Sequence, residues 1–373
     1  MKIVILCTQL EGGGAQRASF NLSKGLINKG FDCENWFLYK KHENYDNLEI
    51  KKIVILNRQI ESKKDYFWVL VSYYNLLRKK KPDAIIAFAH YANVLGLIIA
   101  WIAGVKIRIA SHRNPSWGNM SKKLKYLDKL CAYFNIYTSI TSVSNSTKKS
   151  FRHYYLKDYN RIVVIENGVE LRSITETKKN CRRIFNLPEN EFIIGTVGRL
   201  DKQKNHIYSI NLIKKSEGVF LTIAGGGILK DELKQHVVRQ NLEKRVFLLD
   251  EIPNIQVPYF LKSLDIFIMP SIFEGLSNAL LEAMAMGIPV LVSDIDAQKD
   301  VVVGKDGEKY GEILSLNNDE VWINTINDLK SDSEKFNLYV KRSLKRASDF
   351  SVEAMTKGFL RLLVSNTGNY IKE

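Results

Sequence analysis

Short apolar runs recur along this chain with helix-length amphipathic stretches between them, and that alternation leaves few folds open. One series of runs lies at residues 3–7, 33–38, 53–56, 84–88, 107–110, 139–143 and 162–165, and a second at 192–197, 219–224, 246–249, 266–269 and 289–292. Each has the length of a strand buried on both faces, and strands alternating with helices predict a parallel sheet wrapped on both sides. A chain of 373 residues is long enough for about two domains, each with its own core. Two doubly wound α/β domains fit the pattern better than one large sheet. The pattern lapses after Glu166-Asn167-Gly168-Val169, in the polar stretch 172–183, so the expected domains are residues 1–170 and 171–354. Residues 350–363 read as a final amphipathic helix.

Composition narrows the class. Hydrophobic residues make up 45% and charged residues 25%, with 7 prolines, the balance of a folded globular protein. Cys7, Cys33, Cys131 and Cys181 show neither a C-x-x-C pair nor a His at metal spacing, so they read as core thiols in a reducing compartment. The run at 3–7 is too short for the core of a signal peptide and reads as a buried strand. Residues 84–105 are almost continuously apolar, but Lys81-Pro82-Asp83 precedes a strand-length run and 91–103 has helix length, so we expect strand, loop and helix rather than a membrane span.

The net charge is +15, and residues 1–170 hold 27 basic against 13 acidic side chains, a balance of +14. This excess implies an anionic partner: nucleic acid, a phosphorylated ligand or an acidic membrane. Basic residues cluster at Lys63-Lys64, Arg78 to Lys81, Lys122-Lys123-Lys125 and Lys148-Lys149, and the first two flank an aromatic helical stretch, 66–77. Such a stretch can dock on anionic lipid headgroups, or it can be a core helix with solvated faces. No nucleic-acid-binding motif accompanies the charge, so no nucleic-acid partner is expected.

Three segments carry chemistry. Glu11-Gly12-Gly13-Gly14-Ala15-Gln16-Arg17 joins the first strand to a helix, where glycines let backbone N–H groups approach a phosphate. It lacks the G-x-G-x-x-G spacing, and a flexible turn explains it as well as a binding loop. Gly198-Arg199-Leu200 and Lys204 leave the carboxyl end of a strand in the second half, the edge at which open α/β sheets bind ligands. Arg199 can grip a diphosphate bidentately and Lys204 can add a point charge; alternatively both are solvated surface cations. Finally, 266–271 leads into Glu274-Gly275-Leu276-Ser277-Asn278 and a helix carrying Glu282. A carboxylate in the turn can hold sugar hydroxyls, the amides of Leu276, Ser277 and Asn278 can face phosphate, and Glu282 can accept a ribose diol.

With these elements the chain resembles family 4 of the retaining, nucleotide-sugar-dependent glycosyltransferases, whose GT-B fold pairs two Rossmann-like domains across a cleft. The resemblance rests on the first glycine loop, Asn167-Gly168-Val169, Gly198-Arg199-Leu200 with Lys204, Ala224-Gly225-Gly226-Gly227, and Glu274 with Glu282. It implies an acceptor-binding first domain, a donor-binding second domain, and a C-terminal helix of about residues 355–373 crossing back to the first. It also implies that Arg199 and Lys204 bind the donor diphosphate, Glu282 its ribose and Glu274 its sugar, with Gly13, Gly14, Gly198, Gly225 and Gly275 lining the donor site. The departing phosphate would assist the acceptor hydroxyl on the same face, so no metal cofactor is required.

Two departures from the family pattern stand out. Gly225-Gly226-Gly227-Ile228 replaces the usual Gly-Asp/Glu-Gly-Pro loop, and the first-domain histidine has two candidates, His112, the favoured one, and His90. Asp294-Ile295-Asp296 has the D-x-D form of a metal motif but sits where the family has an ordinary loop, and is read as one. The resemblance further implies a UDP- or GDP-sugar donor, UDP favoured, and a glycan or polyprenyl-diphosphate-linked acceptor. The setting it implies is surface polysaccharide assembly (capsule, O-antigen, exopolysaccharide or teichoic acid), by a cytoplasmic enzyme bound peripherally to the anionic inner leaflet. The rival readings are a non-catalytic sugar-nucleotide-binding subunit that activates a partner transferase and, more remotely, a nucleic-acid-binding protein.

Overall fold

In a computed structural model the described residues are 1–11, 13–41, 50–117, 120–170 and 174–367. The chain divides into two compact units, one comprising Met1–Gly168 with the segment from Ser351, the other Val169–Phe350.

The first unit is built on strands β1 (Lys2–Leu10), β2 (Asp32–Lys40), β3 (Lys52–Leu56), β4 (Ala84–Phe88), β5 (Ile107–His112), β6 (Ser139–Ser142) and β7 (Ile162–Val164). Their spatial order is β3-β2-β1-β4-β5-β6-β7, and all the pairings are parallel. Alternate residues of β1 serve opposite cores, Ile3 and Ile5 one and Val4 and Leu6 the other, which is why the strand is apolar throughout. The order reverses between β1 and β4, opening a crevice at the strands' carboxyl ends. Residues 84–105 form β4, a π-helical turn at Ala92–Gly96 and helix Leu97–Ile102, with Val94, Leu97 and Ala100 buried. No helix among the described residues is long and apolar enough to cross a membrane.

Strands β8 (Phe192–Val197), β9 (Val219–Ala224), β10 (Val246–Leu249), β11 (Ile266–Met269), β12 (Val290–Ser293) and β13 (Glu312–Leu314) build the second unit in the order β10-β9-β8-β11-β12-β13. Here the reversal lies between β8 and β11. Strand β13 has no signal in the sequence, because three residues beginning with a glutamate make no apolar run; pairing with β12 supplies its order instead. The polar stretch 172–183 is not a hinge throughout. Residues 171–173 lie outside the described residues, and the rest enters helix Lys178–Ile184, where buried Arg182 bonds Asp265 Oδ2 at 2.7 Å and the Ser263 carbonyl at 3.0 Å.

The last helix, Val352–Thr367, belongs to the first unit and places Met355, Phe359 and Leu363 in the core formed by Ile3, Ile5, Ile86 and Phe88. Residues 368–373 of the expected helix lie outside the described residues. The start of this helix packs tightly on Gly168, whose carbonyl accepts from Asn21 Nδ2 at 2.8 Å. A Cβ on Gly168 would stand 2.5 Å from Val352 Cα and 2.9 Å from the Ser351 carbonyl oxygen. Backbone atoms cannot yield as a flexible side chain does, so Gly168→Ala is expected to destabilise the protein by about 1–3 kcal/mol. Urea unfolding would check this, and an unchanged midpoint would contradict the packing argument.

Candidate functional site

The second unit gathers its polar side chains at the reversal point. The loop after β8 runs Gly198 to Asn205, and the loop after β11 carries Ser271 and Glu274. The two are tied by the Ile272 amide donating to the Gln203 carbonyl at 2.8 Å. Glu274 is buried and its carboxylate takes three donors: Lys204 Nζ at 2.7 Å and Ser271 Oγ at 2.8 Å on Oε1, and Gln203 Nε2 at 3.1 Å on Oε2. Burying an ion pair is costly unless the remaining lone pairs are also satisfied, and these neutral donors meet that condition. Lys204 spends one of its three ammonium protons on Glu274, which leaves two for an anion. Behind them, Ser293 Oγ donates to the Ser271 carbonyl at 2.5 Å and Gln298 Nε2 to the Met269 carbonyl at 2.9 Å.

Arg199 sits apart from this cluster. Its side chain is 73% exposed and meets only the fringe of Asp201, at 3.6 Å. Its backbone, however, is fixed: His206 Nε2 lies 3.1 Å from the Arg199 carbonyl oxygen, so that nitrogen carries the proton of the neutral ring. Burial lowers His206 to about 4. The glycine loop after β9 fixes the same segment from the side. The Gly198 amide donates to Ala224 at 3.0 Å and that of Leu200 to Gly226 at 2.9 Å. A Cβ on Gly225 would overlap the Gly198 carbonyl oxygen, and one on Gly227 would come 2.5 Å from that of Leu200. This close loop packing accounts for Gly225 and Gly227.

Ser277 caps helix Asn278–Ala285, its hydroxyl accepting from the Leu280 amide at 3.4 Å, so Gly275 and Leu276 lie just ahead of the helix and Glu282, half-buried, within it. Asp294 follows β12 and pairs with Lys299, while Asp296 opens helix Asp296–Val302. Among the described residues no three His, Cys, Asp or Glu side chains gather as a metal site.

In the first unit, Gly13 stands at the N-cap of helix Gly14–Asn28 without a side-chain cap, and Gly12 lies outside the described residues. Gln16, Gln9, Glu11 and Lys41 brace this turn: Gln16 Nε2 donates to the Gln9 carbonyl at 2.8 Å, and Lys41 Nζ meets Glu11 Oε2 at 2.9 Å. Beside it Tyr39, Tyr66, Tyr91 and Leu95 line a small apolar pocket at the carboxyl ends of β1 and β2. Phe67 and Trp68, each 63% exposed, project from helix Lys63–Lys80.

The two histidines occupy different places. His112 is fully buried at the end of β5, with Nε2 2.7 Å from the Tyr155 hydroxyl and Phe151 packed on its ring. That engagement inside the fold runs against the expectation of His112 as the residue beside a reacting sugar. His90 comes just after β4, and neither of its ring nitrogens has a hydrogen-bond partner. Ala89, just before it, is held at φ +82°, a conformation that costs a non-glycine residue about 1–3 kcal/mol. Such strain, with the π-turn beyond it, is a signature of functional positions. Gln203, Ser271 and His206 were not singled out from the sequence; they are polar residues without a distinctive spacing, and only the meeting of two loops reveals them.

Comparison with known proteins identifies the family. Residues 12–173 match the family described as Glycosyltransferase Family 4, and residues 177–346 that described as Glycosyl transferases group 1. The chain is 29% identical over 335 residues to the UDP-Gal:alpha-D-GlcNAc-diphosphoundecaprenol alpha-1,3-galactosyltransferase of Escherichia coli, covering 84% of each chain. It is 26% identical to the capsular polysaccharide biosynthesis glycosyltransferase CapM of Staphylococcus aureus, over 71% of this chain and 72% of that one. Among solved structures, Anabaena Alr3699/HepE in complex with UDP and glucose superposes with a TM-score of 0.84 at 18% identity, covering 98% of this chain and all of that one. This last likeness establishes the fold.

His206 provides a test of the loop. A neutral buried histidine takes up its proton on unfolding, so its contribution to stability is complete above pH 6.5 and is lost as the pH falls toward 4. Between urea titrations at pH 7 and pH 4.5, His206→Gln should lose less stability than the wild type, by up to about 3 kcal/mol. Equal losses would show that the ring is protonated in the folded protein.

Proposed function

Because the chain belongs to glycosyltransferase family 4, with the GT-B fold, we propose that it transfers a sugar from a UDP-sugar to a polyprenyl-diphosphate-linked acceptor with retention of anomeric configuration. The clamp on Glu274 carries this reading: a buried carboxylate held by Lys204, Gln203 and Ser271 at the sheet's reversal point. Held so, Glu274 presents fixed lone pairs to sugar hydroxyls. Lys204, already neutralised in part by Glu274, directs its remaining protons at the diphosphate, and exposed Arg199 swings onto the same group. Stabilising the departing UDP in this way lowers the barrier where charge develops. Glu282 receives the ribose hydroxyls, and the Gly275-Leu276-Ser277-Asn278 turn offers its amides to phosphate. UDP is preferred as the nucleotide because the structural relative HepE is bound to UDP and the Escherichia coli relative is named for UDP-Gal.

In the first unit we assign the role facing the sugar to His90 rather than His112: its side chain is half-buried at the reversal between β1 and β4, and its ring nitrogens, though buried as placed, are held by no hydrogen bond that would stop the ring turning outward. The acceptor assignment rests on the diphosphoundecaprenol named for the Escherichia coli relative. Exposed Phe67 and Trp68 beside Lys63 and Lys64 suit attachment to the anionic cytoplasmic face of a membrane, where such an acceptor resides. In this scheme the chain's own cations do the work of a metal.

Lys204→Ala and Glu274→Gln are expected to lower transfer at least about a hundredfold, with an unchanged circular dichroism spectrum. UDP, but not ADP, should raise the wild-type melting temperature, and Lys204→Ala should abolish that shift. Transfer that survives either substitution, or that stops in EDTA, would contradict the mechanism.

A further inference from the structure

The basic cluster Lys122-Lys123-Lys125 has no part in the site described above. It opens helix Lys122–Tyr133, which is apolar on two sides. Leu124, Cys131 and Ala132 face the core, together with buried Asp128. On the other side Tyr126, Leu127, Tyr133 and Phe134 fall on one stripe at helical spacing, with half-buried Leu130 between them. All four are exposed, and the three rings have more than half of their surface in water. The neighbouring helix Leu97–Ile102 ends on Trp101 and Ile102, which are exposed to a similar degree. Arg108 ties the two helix ends together, its guanidinium donating to the carbonyls of Val105 and Lys106 after one helix and of Ile136 after the other. A core needs one apolar side of a helix, so a second one facing solvent marks a surface that meets a partner.

The rim decides what that partner is. Lys106, Lys122, Lys123 and Lys129 are exposed around the stripe, and Lys157 Nζ stands 3.9 Å from the centroid of the Tyr133 ring. The one carboxylate of the helix, Asp128, is buried and accepts from Tyr137 at 2.8 Å and Tyr155 at 2.6 Å, so it does not offset these cations at the surface. A second copy of the chain would bring lysine against lysine. Anionic lipid accepts both features, headgroups taking the ammonium groups and the upper acyl region taking the rings. We propose that the stripe of helix Lys122–Tyr133, with Trp101 and Ile102, is a docking surface for an anionic lipid bilayer. This deepens the membrane reading above, on which it rests, by adding a second contact far along the chain from Phe67 and Trp68. The two contacts share a layer: helix Lys63–Lys80 packs through Val69, Tyr73 and Leu77 into the same core as Leu124 and Cys131. The helices on the opposite face of the sheet, Gly14–Asn28 and Val352–Thr367, expose one large apolar side chain among the described residues, Ile27. The first unit therefore lies on the bilayer by one helical layer, and its crevice at the strands' carboxyl ends opens sideways at headgroup level, where a lipid-linked acceptor presents its sugar.

The test uses the full chain with vesicles of phosphatidylglycerol and phosphatidylcholine in equal parts, and pure phosphatidylcholine as the uncharged control. Cys7, Cys33, Cys131 and Cys181 are all buried, so a cysteine introduced at the surface takes an environment-sensitive fluorophore selectively. The label on Leu127→Cys should shift to the blue when anionic vesicles are added, and the label on Ile27→Cys should not. The triple variant Tyr126→Ser, Tyr133→Ser, Phe134→Ser should keep the wild-type melting temperature and partition onto anionic vesicles at least about tenfold more weakly. If that variant folds poorly, the two labelled proteins still decide the matter. An unshifted label at position 127, in a protein that binds the vesicles and loses them with Phe67→Ser and Trp68→Ser, would overturn this surface and leave attachment through helix Lys63–Lys80 standing. A wild-type protein that ignores anionic vesicles would remove both contacts. A blue shift at position 127 that arises without vesicles and grows with protein concentration would identify a second copy as the occupant and overturn the proposal. None of these measurements requires sugar transfer, so a failure of the transferase reading is seen separately.

Discussion

The buried contact between Lys204 and Glu274, 2.7 Å apart, is the interaction around which the second unit is arranged. Taking two charges out of water is repaid only with good geometry and with further hydrogen bonds, and breaking such a pair by removing one partner typically costs about 3–5 kcal/mol. Everything around the pair serves that geometry. The strand order puts β8 beside β11, so the loops at their carboxyl ends meet. The Ile272 to Gln203 backbone bond holds the loops in register, and Ser271 and Gln203 complete the carboxylate's shell. On the far side, Gly225 and Gly227 let the next loop press against Gly198 and Leu200 where any Cβ would intrude. A ligand arriving here finds charges already ordered, so the entropy of ordering them belongs to folding and not to binding.

The first unit solves the same topological problem differently. Its reversal point lies between β1 and β4, and those strands lead into a glycine turn and a histidine rather than a pair of opposite charges. The turn is braced through Gln9 and Gln16, with the Glu11 carboxylate beside it paired to Lys41. The histidine is reached through a strained Ala89 and backed by Asp128, two phenols and a second imidazole. One unit therefore holds a fixed ion pair with spare ammonium protons beside its crevice and the other a neutral hydrogen-bonding group. A phosphate suits the first and a hydroxyl the second, which is the division that sugar transfer from a nucleotide requires.

Most of the architecture could be read from the sequence because strands buried on both faces must be apolar throughout. All seven strands of the first sheet and five of the second announced themselves in this way, whereas β13, three residues long and opening with Glu312, did not. The meeting of Lys204 with Glu274 was legible as a candidate because a charge in a strand-to-helix turn at a sheet's carboxyl edge has few structural uses. The choice between His90 and His112 was not. Both lie at or just beyond the end of a buried strand, and they are separated by hydrogen bonding, to Tyr155 for one and to no partner for the other. Tyr155 lies 43 residues from His112 in sequence. Contacts of that range depend on how helices settle over the sheet, and no local spacing encodes them.

Charge was legible in amount but not in function. The +14 of residues 1–170 includes Arg108 and Arg113, both buried. Arg108 donates to the carbonyls of Ile136, Val105 and Lys106, and Arg113 lies over the Phe88 ring and bonds Ser111 and Asn167. These guanidiniums bond neutral acceptors and join strand ends to neighbouring loops, work that needs five fixed donors more than it needs a charge. Because no carboxylate among the described residues pairs with them, they still add to the positive potential of the unit. A net charge can therefore be large partly for reasons of packing and yet act at a distance on an anionic surface. Lys204 is the opposite case, since its charge is nearly cancelled by Glu274 and acts only within contact range. The diffuse field and the local cation are separate consequences of where counter-charges were placed, and only the second has its position fixed by a buried partner.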